Sequence, residues 1–177
     1  MNRQPIQENR GEDRGGAVRL FGASYAFYQI CGSRSVVAMN NVASQLIEAA
    51  RAVCGEFPLR DDFSAGSVGA AILTDKGNVY TGVCIDLACG LGFCAEVAAV
   101  AEMLKHRERR IAAIVAVAGD KILSPCGRCR EMIAQVDARN LDCDVIVGKE
   151  RTVSLRALLP DHWLTDARDT EESEGRA

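Results

Sequence analysis

Two stretches hold the residues best suited to chemistry. One runs from Ser124 to Glu131, SPCGRCRE, with a Cys-x-x-Cys pair directly after a proline. The other begins at Cys94 and reads CAEVAAVAEML. Cysteine binds metal as the thiolate. The pair is therefore open to three readings: a redox couple, a structural zinc clip, or part of a catalytic metal site. A redox couple accounts for Cys126 and Cys129 but explains neither Cys94 nor Glu96. Zinc suits tetrahedral sulfur ligation, and three protein ligands leave one position for water, which is the catalytic pattern. A structural site wants a fourth ligand, and Cys89 is the nearest candidate for it. Glu96, two residues past Cys94, can exchange a proton with a water beside the metal without binding the metal itself. The plainer reading of Glu96 is an ordinary acid in the first turn of a helix.

These residues need elements to bring them together. Ala43, Leu46, Ile47, Ala50 and Val53 recur at helical spacing, with Asn40 or Asn41 as a candidate cap. GEFPLRDDFSAG reads as a loop. SVGAAILT and VYTGVCI read as strands of a hairpin turning at DKGN. A helix is expected from Ala95 to Lys105. The run IAAIVAVA predicts a strand covered on both faces. GDKILSPCG reads as a loop, and a helix follows from Gly127 to Val136. CDVIV predicts a strand, RTVSL a short last strand, and RALLP a helix stopped by Pro160.

Strands alternating with helices imply parallel pairing behind the antiparallel hairpin. The expected fold is α/β, a three-layer α/β/α sandwich on a mixed five-stranded sheet. In open α/β sheets, sites lie beyond the carboxyl ends of strands. Cys94 and the Cys126–Cys129 pair are thus expected on one sheet edge, at helix N-termini. Free N–H groups and the positive dipole end there favour thiolate.

Composition narrows the class. The chain has 177 residues, enough for one domain with its own core. Its formal net charge of -3 argues against a surface built mainly to grip phosphates. The start, MNRQPIQENRGEDRGG, is too polar for a secretory signal, and the apolar run Ala17 to Cys31 is too short and interrupted to span a bilayer. The reading is a soluble cytoplasmic protein without a membrane partner. In such a setting Cys31, Cys54, Cys84, Cys89 and Cys143 show no ligand spacing with each other, and most of them are expected as reduced, small core residues. His106 and His162 show no ligand spacing and are expected at the surface.

The combination of CAE, the later SPCGRC, the hairpin VGAAILTDKGNVYTGV and LRALLP resembles the zinc-dependent cytidine deaminase family. The resemblance covers Val42 to Trp163 and is closest in motif to the members that act on the cytosine-containing antibiotic blasticidin S. It implies one zinc per subunit on Cys94, Cys126 and Cys129, with Glu96 as proton shuttle. It implies hydrolytic deamination of a small-molecule substrate: a cytosine-like nucleoside, a nucleoside antibiotic or a related amino-heterocycle. It also implies a homotetramer. Residues 1–38 are then an N-terminal extension, 39–163 the deaminase domain and 164–177 an acidic disordered tail. Two rival functions stand beside this one. An RNA- or DNA-editing deaminase meets the objection of acidic charge and no basic-aromatic clusters. A silent zinc module for binding or oligomerisation leaves Glu96 without a purpose.

The resemblance also places candidate substrate contacts at Ala95, Ser124, Cys84, Asp86 and Phe63. Cys84 and Asp86 stand where the family holds ribose with Asn and Glu. Cysteine is a poor partner for a hydroxyl. The family's ring-facing aromatic coincides with Gly66, for which Phe63 is the possible substitute. Ribose recognition is thus expected to be altered and plain cytidine to be a poor substrate. Finally, three thiolates on a divalent zinc leave net negative charge. The family often offsets it with an Arg after the catalytic Glu, where this chain has Val97. Arg128, with Arg130 behind it, is the candidate for charge tuning.

Overall fold

The computed structural model describes residues 36–60 and 62–164. The apolar segment before Val36, Cys31 and the acidic tail from residue 165 lie outside the described residues.

The elements in chain order are α1 (Val36–Val53), β1 (Phe57–Arg60), β2 (Phe63–Thr74), β3 (Val79–Asp86), α2 (Ala95–Lys105), β4 (Ile111–Ala118), β5 (Lys121–Leu123), α3 (Gly127–Val136), β6 (Asp144–Gly148), β7 (Arg151–Ser154) and α4 (Leu155–Leu158). Short 3-10 turns at Ala88–Gly90 and Ala138–Asp142 join them. The helices α2 and α3 keep the bounds read from sequence. The first helix does not: it begins at Val36, so positions 40 and 41 lie inside it rather than at its start.

The sheet has seven strands, two more than expected. The five anticipated strands form the continuous path β3-β2-β4-β6-β7. The additions are short and fall in segments read as loops. β1 pairs antiparallel with the start of β2, and β5 folds back on the end of β4. Neither has a run of apolar residues, so neither carries a periodic signal. The sheet is mixed, with β4 and β6 parallel across the α3 crossover and the other pairs antiparallel.

Period-two alternation sorts the core into two halves. Ala71 and Leu73 of β2, with Ala113, Val115 and Val117 of β4, meet Val42, Leu46, Ile47 and Ala50 of α1. Ala70 and Ile72, with Ile114 and Ala116, meet Ala95, Ala99 and Met103 of α2 and Ile133 of α3 on the other face. The layers are α/β/α. Close approach of α2 to the sheet depends on Gly82 in β3: a Cβ there would lie 2.3 Å from the Ala99 amide nitrogen. No described helix is long and apolar enough to cross a membrane.

Candidate active site

β3 and β4 both run antiparallel to β2, so their carboxyl ends share one sheet edge. Each chain leaves that edge by a controlled path. After β3, Ile85 and Phe93 exchange two backbone hydrogen bonds at 3.0 Å, which closes the intervening loop and starts α2 beside the strand end. After β4, the chain turns at Gly119 and returns as β5, with Leu123 opposite Ala116. That return sets Ser124, Pro125 and Cys126 next to the start of α2.

Cys94 is the N-cap of α2 and Cys126 the N-cap of α3, both with extended backbone; Cys129 sits in the first turn of α3. The three ligand atoms lie within 4.8 Å of one another, and the Cys94 and Cys126 Sγ atoms are 3.7 Å apart. Tetrahedral bonds of about 2.3 Å from zinc to sulfur place sulfurs roughly 3.8 Å apart, so the donor set fits zinc. Among the described residues this is the one cluster of its kind. Cys89 is not part of it. It lies exposed in the 3-10 turn with φ of 58°, so it does not supply the fourth ligand of a closed site.

Burial pushes the Cys94 thiol up, reinforced by its hydrogen bond with Cys126. Burial and the neighbouring Glu96 push Cys129 up further. Burial also opposes ionisation of Cys126, but hydrogen bonds from the Cys129 backbone and from the other two thiols outweigh it and hold that thiol below its usual value. Glu96, in the first turn of α2, is 5% exposed. Its burial raises the carboxyl above the usual carboxylate range, while its own backbone N–H and the Cys129 thiol pull partly back.

A cavity of about 640 Å³ opens on this edge. It takes in Cys94, Cys126 and Glu96 at one end, with Ala95 and Ser124 beside them. Cys84, Asp86 and Phe63 line it as well, and Arg128 stands at its wall. Cys129 is fully buried behind it. Every anticipated site residue is therefore at the cavity or directly beneath it. Arg128 is exposed and makes no hydrogen bond to the three sulfurs among the described residues. Arg130 donates instead to oxygens, the Pro125 and Leu158 carbonyls and the Ser124 hydroxyl.

One lining residue escaped the sequence reading. The β2–β3 register shifts between Ala65 and Gly69, where Gly66 takes φ of +83°. This bulge turns the Ser67 Oγ to within 3.1 Å of the Cys84 Sγ and 3.3 Å of an Asp86 carboxylate oxygen. The Val68 amide donates to the same sulfur at 3.3 Å. Cys84 is thus already partnered by protein. Gly66 closes the segment read as a loop, so no strand-interior glycine marks this bulge in the sequence. His106 also differs from expectation: it is half-buried and stacks on Tyr80, ring centroids 5.2 Å apart.

A mixed α/β sandwich with three thiols at two helix starts and a buried carboxylate beside them has the donor set and the acid of a catalytic zinc site. Residues 41–144 match the family described as the cytidine and deoxycytidylate deaminase zinc-binding region, and the chain belongs to that family. A cytidine deaminase from Mycobacterium tuberculosis is 38% identical over 106 residues, spanning 59% of this chain and 77% of the relative. A blasticidin-S deaminase from Bacillus cereus is 27% identical over 133 residues, spanning 68% of this chain and 93% of the relative. The crystal structure of the Mycobacterium tuberculosis cytidine deaminase superposes with a TM-score of 0.56 at 32% identity, covering 70% of this chain and 95% of that one.

Proposed function

We propose that this chain deaminates a small cytosine-like compound by hydrolysis: a nucleoside, a nucleoside antibiotic or a related amino-heterocycle. The observation that carries the reading is the convergence of three thiols within 4.8 Å and the buried Glu96 on one cavity. Cys94, Cys126 and Cys129 hold the zinc. Zinc, when bound, supplies the Lewis acidity that makes water nucleophilic near neutral pH. Water adds to the amino-bearing ring carbon, that carbon's bond to the amine breaks, and ammonia leaves a carbonyl behind. Glu96 takes one proton from the attacking water and places it on the ring nitrogen, then takes the second from the new hydroxyl and places it on the leaving amine.

Ala95 and Ser124 flank the reacting end. Asp86 and Phe63 face the ring's substituent, with Cys84 behind them. Ser67 holding Asp86, and Cys84 occupied by Val68, favour altered sugar recognition and a substrate other than plain cytidine. Arg128, the cation on the cavity wall, offsets the negative charge of three thiolates. The subunits form a homotetramer. Its support is the line of Val97, Ala101 and Leu104 on α2, which the chain's own core leaves uncovered, and the 73% exposed Leu91. A cytoplasmic setting agrees with the described cysteines being free thiols.

The test is ammonia release from a panel of aminopyrimidines, nucleosides and cytosine antibiotics, with zinc measured alongside. Glu96→Ala should keep zinc and lose about 10²–10⁴-fold in rate. Near-normal turnover by that variant would remove Glu96 from the chemistry, and undiminished zinc in Cys126→Ser would overturn the ligand set.

A further inference from the structure

We infer that Arg130 is a positioning residue that fixes the approach of the Ser124–Cys126 segment to the metal site and couples it to the last helix. The inference rests on the zinc reading above.

Arg130 lies in α3, directly after the ligand Cys129, and is half-buried. Its guanidinium makes three separate contacts. Nε donates to the Pro125 carbonyl at 2.7 Å, Nη2 to the Ser124 hydroxyl at 3.1 Å, and Nη1 to the Leu158 carbonyl at 3.0 Å. Its own backbone N–H closes the first helical bond to the Cys126 carbonyl at 3.0 Å. The side chain thus folds back over the helix start and grips the two residues that precede the ligand Cys126. From the same planar group it reaches α4, far away in sequence.

The need for such a grip follows from the local geometry. The Ser124–Cys126 segment has left β5 and has not yet entered α3, so no ladder restrains it. The Cys126 sulfur faces Cys94 at 3.7 Å and the backbone N–H of Cys129, and neither contact holds the two residues before it. A ligand at the end of an unrestrained segment must be held by something other than the metal if the site is to be formed before metal arrives. Arg130 meets that need. Guanidinium offers five donors in a rigid fork, so one side chain can satisfy three acceptors in different directions. A lysine ammonium is a point donor on a flexible stem and cannot hold all three in one plane. This use of Arg130 differs from donation to a ligand sulfur, since its three partners are oxygens.

The consequence concerns the metal and the substrate together. Partners that orient ligands are worth about 10–100-fold in metal affinity when removed. The Ser124 hydroxyl lies at the cavity wall, so loosening it also disturbs a substrate near Cys126.

The experiment compares the zinc-loaded wild type, Arg130→Met and Arg130→Lys. Zinc release to excess chelator is followed by a chromogenic indicator, well below each melting temperature. Visible spectra of the cobalt-substituted proteins report sulfur ligation. Arg130→Met should release zinc at least about tenfold faster, with a weakened or shifted thiolate-to-cobalt band. Arg130→Lys should fall between it and wild type. A folded Arg130→Met with wild-type release and spectrum would overturn the inference. Should Arg130→Met fail to fold, Arg130→Lys decides, and wild-type release by it would overturn the need for the fork. A wild type that holds no zinc would instead refute the metal reading itself.

Discussion

Cys84 shows how much one atom's partners matter at the residue scale. It is 6% exposed and lines the cavity, yet its sulfur already accepts the Val68 amide and meets the Ser67 hydroxyl. A substrate hydroxyl would have to compete for a weak acceptor that is already engaged. Asparagine at this position could accept from Val68 and still turn an amide N–H into the cavity. Cys84→Asn should therefore raise kcat/KM for cytidine about two- to tenfold, the value of one net hydrogen bond of ~0.5–1.5 kcal/mol. Steady-state kinetics on cytidine and on free cytosine read it. A gain equal for both would show that the sugar contact is not what changed. The three thiols and Glu96 were legible as candidates from their types and spacing. Ser67 was not, because a serine in a strand says nothing until a bulge turns it.

Among the elements, α3 carries two ligands, and its far end is anchored by Asn140. This side chain is fully buried in the 3-10 turn after α3. Its Oδ1 accepts from the Ile111 amide at 2.8 Å, and its Nδ2 donates to the Arg109 and Ile133 carbonyls at 3.0 and 3.2 Å. One amide therefore ties α3 to the start of β4. Asn140→Ala leaves a buried N–H and two carbonyls short of partners, a loss of about 2–4 kcal/mol. Thermal unfolding should show a drop of roughly 5–15 °C. A shift of only a degree or two would mean that water replaces the side chain. The helices were readable because apolar spacing and a strand-helix alternation run through them. β5 was not. Its three residues are set by pairing with β4, and that pairing, rather than local propensity, brings Cys126 back toward Cys94.

For the whole molecule, the expected solution species is a tetramer of 19.0 kDa chains. Light scattering checks it directly, and a stable monomer at working concentration would refute it. The charge substitution Ala101→Glu, placed in the uncovered apolar line of α2, should dissociate the assembly while leaving the core residues of that helix untouched. A tetramer that survives it would place the interface elsewhere. Leu91 and Leu87, both exposed and next to the cavity, belong to the same question.

The sequence by itself determined the layers and the two helices that start at the candidate metal ligands. Those features are repeated locally: period two in the strands, helical spacing in α2 and α3, and thiols at helix starts. It also determined that Glu96 follows Cys94 by two positions, which places it in the first turn of α2. Only the tertiary structure decided how the cavity is finished. The Gly66 bulge that turns Ser67 toward Asp86 and the Arg130 clasp from α3 to α4 join segments distant in the chain. No local pattern encodes such a contact, because its partners become neighbours only after the sheet has formed.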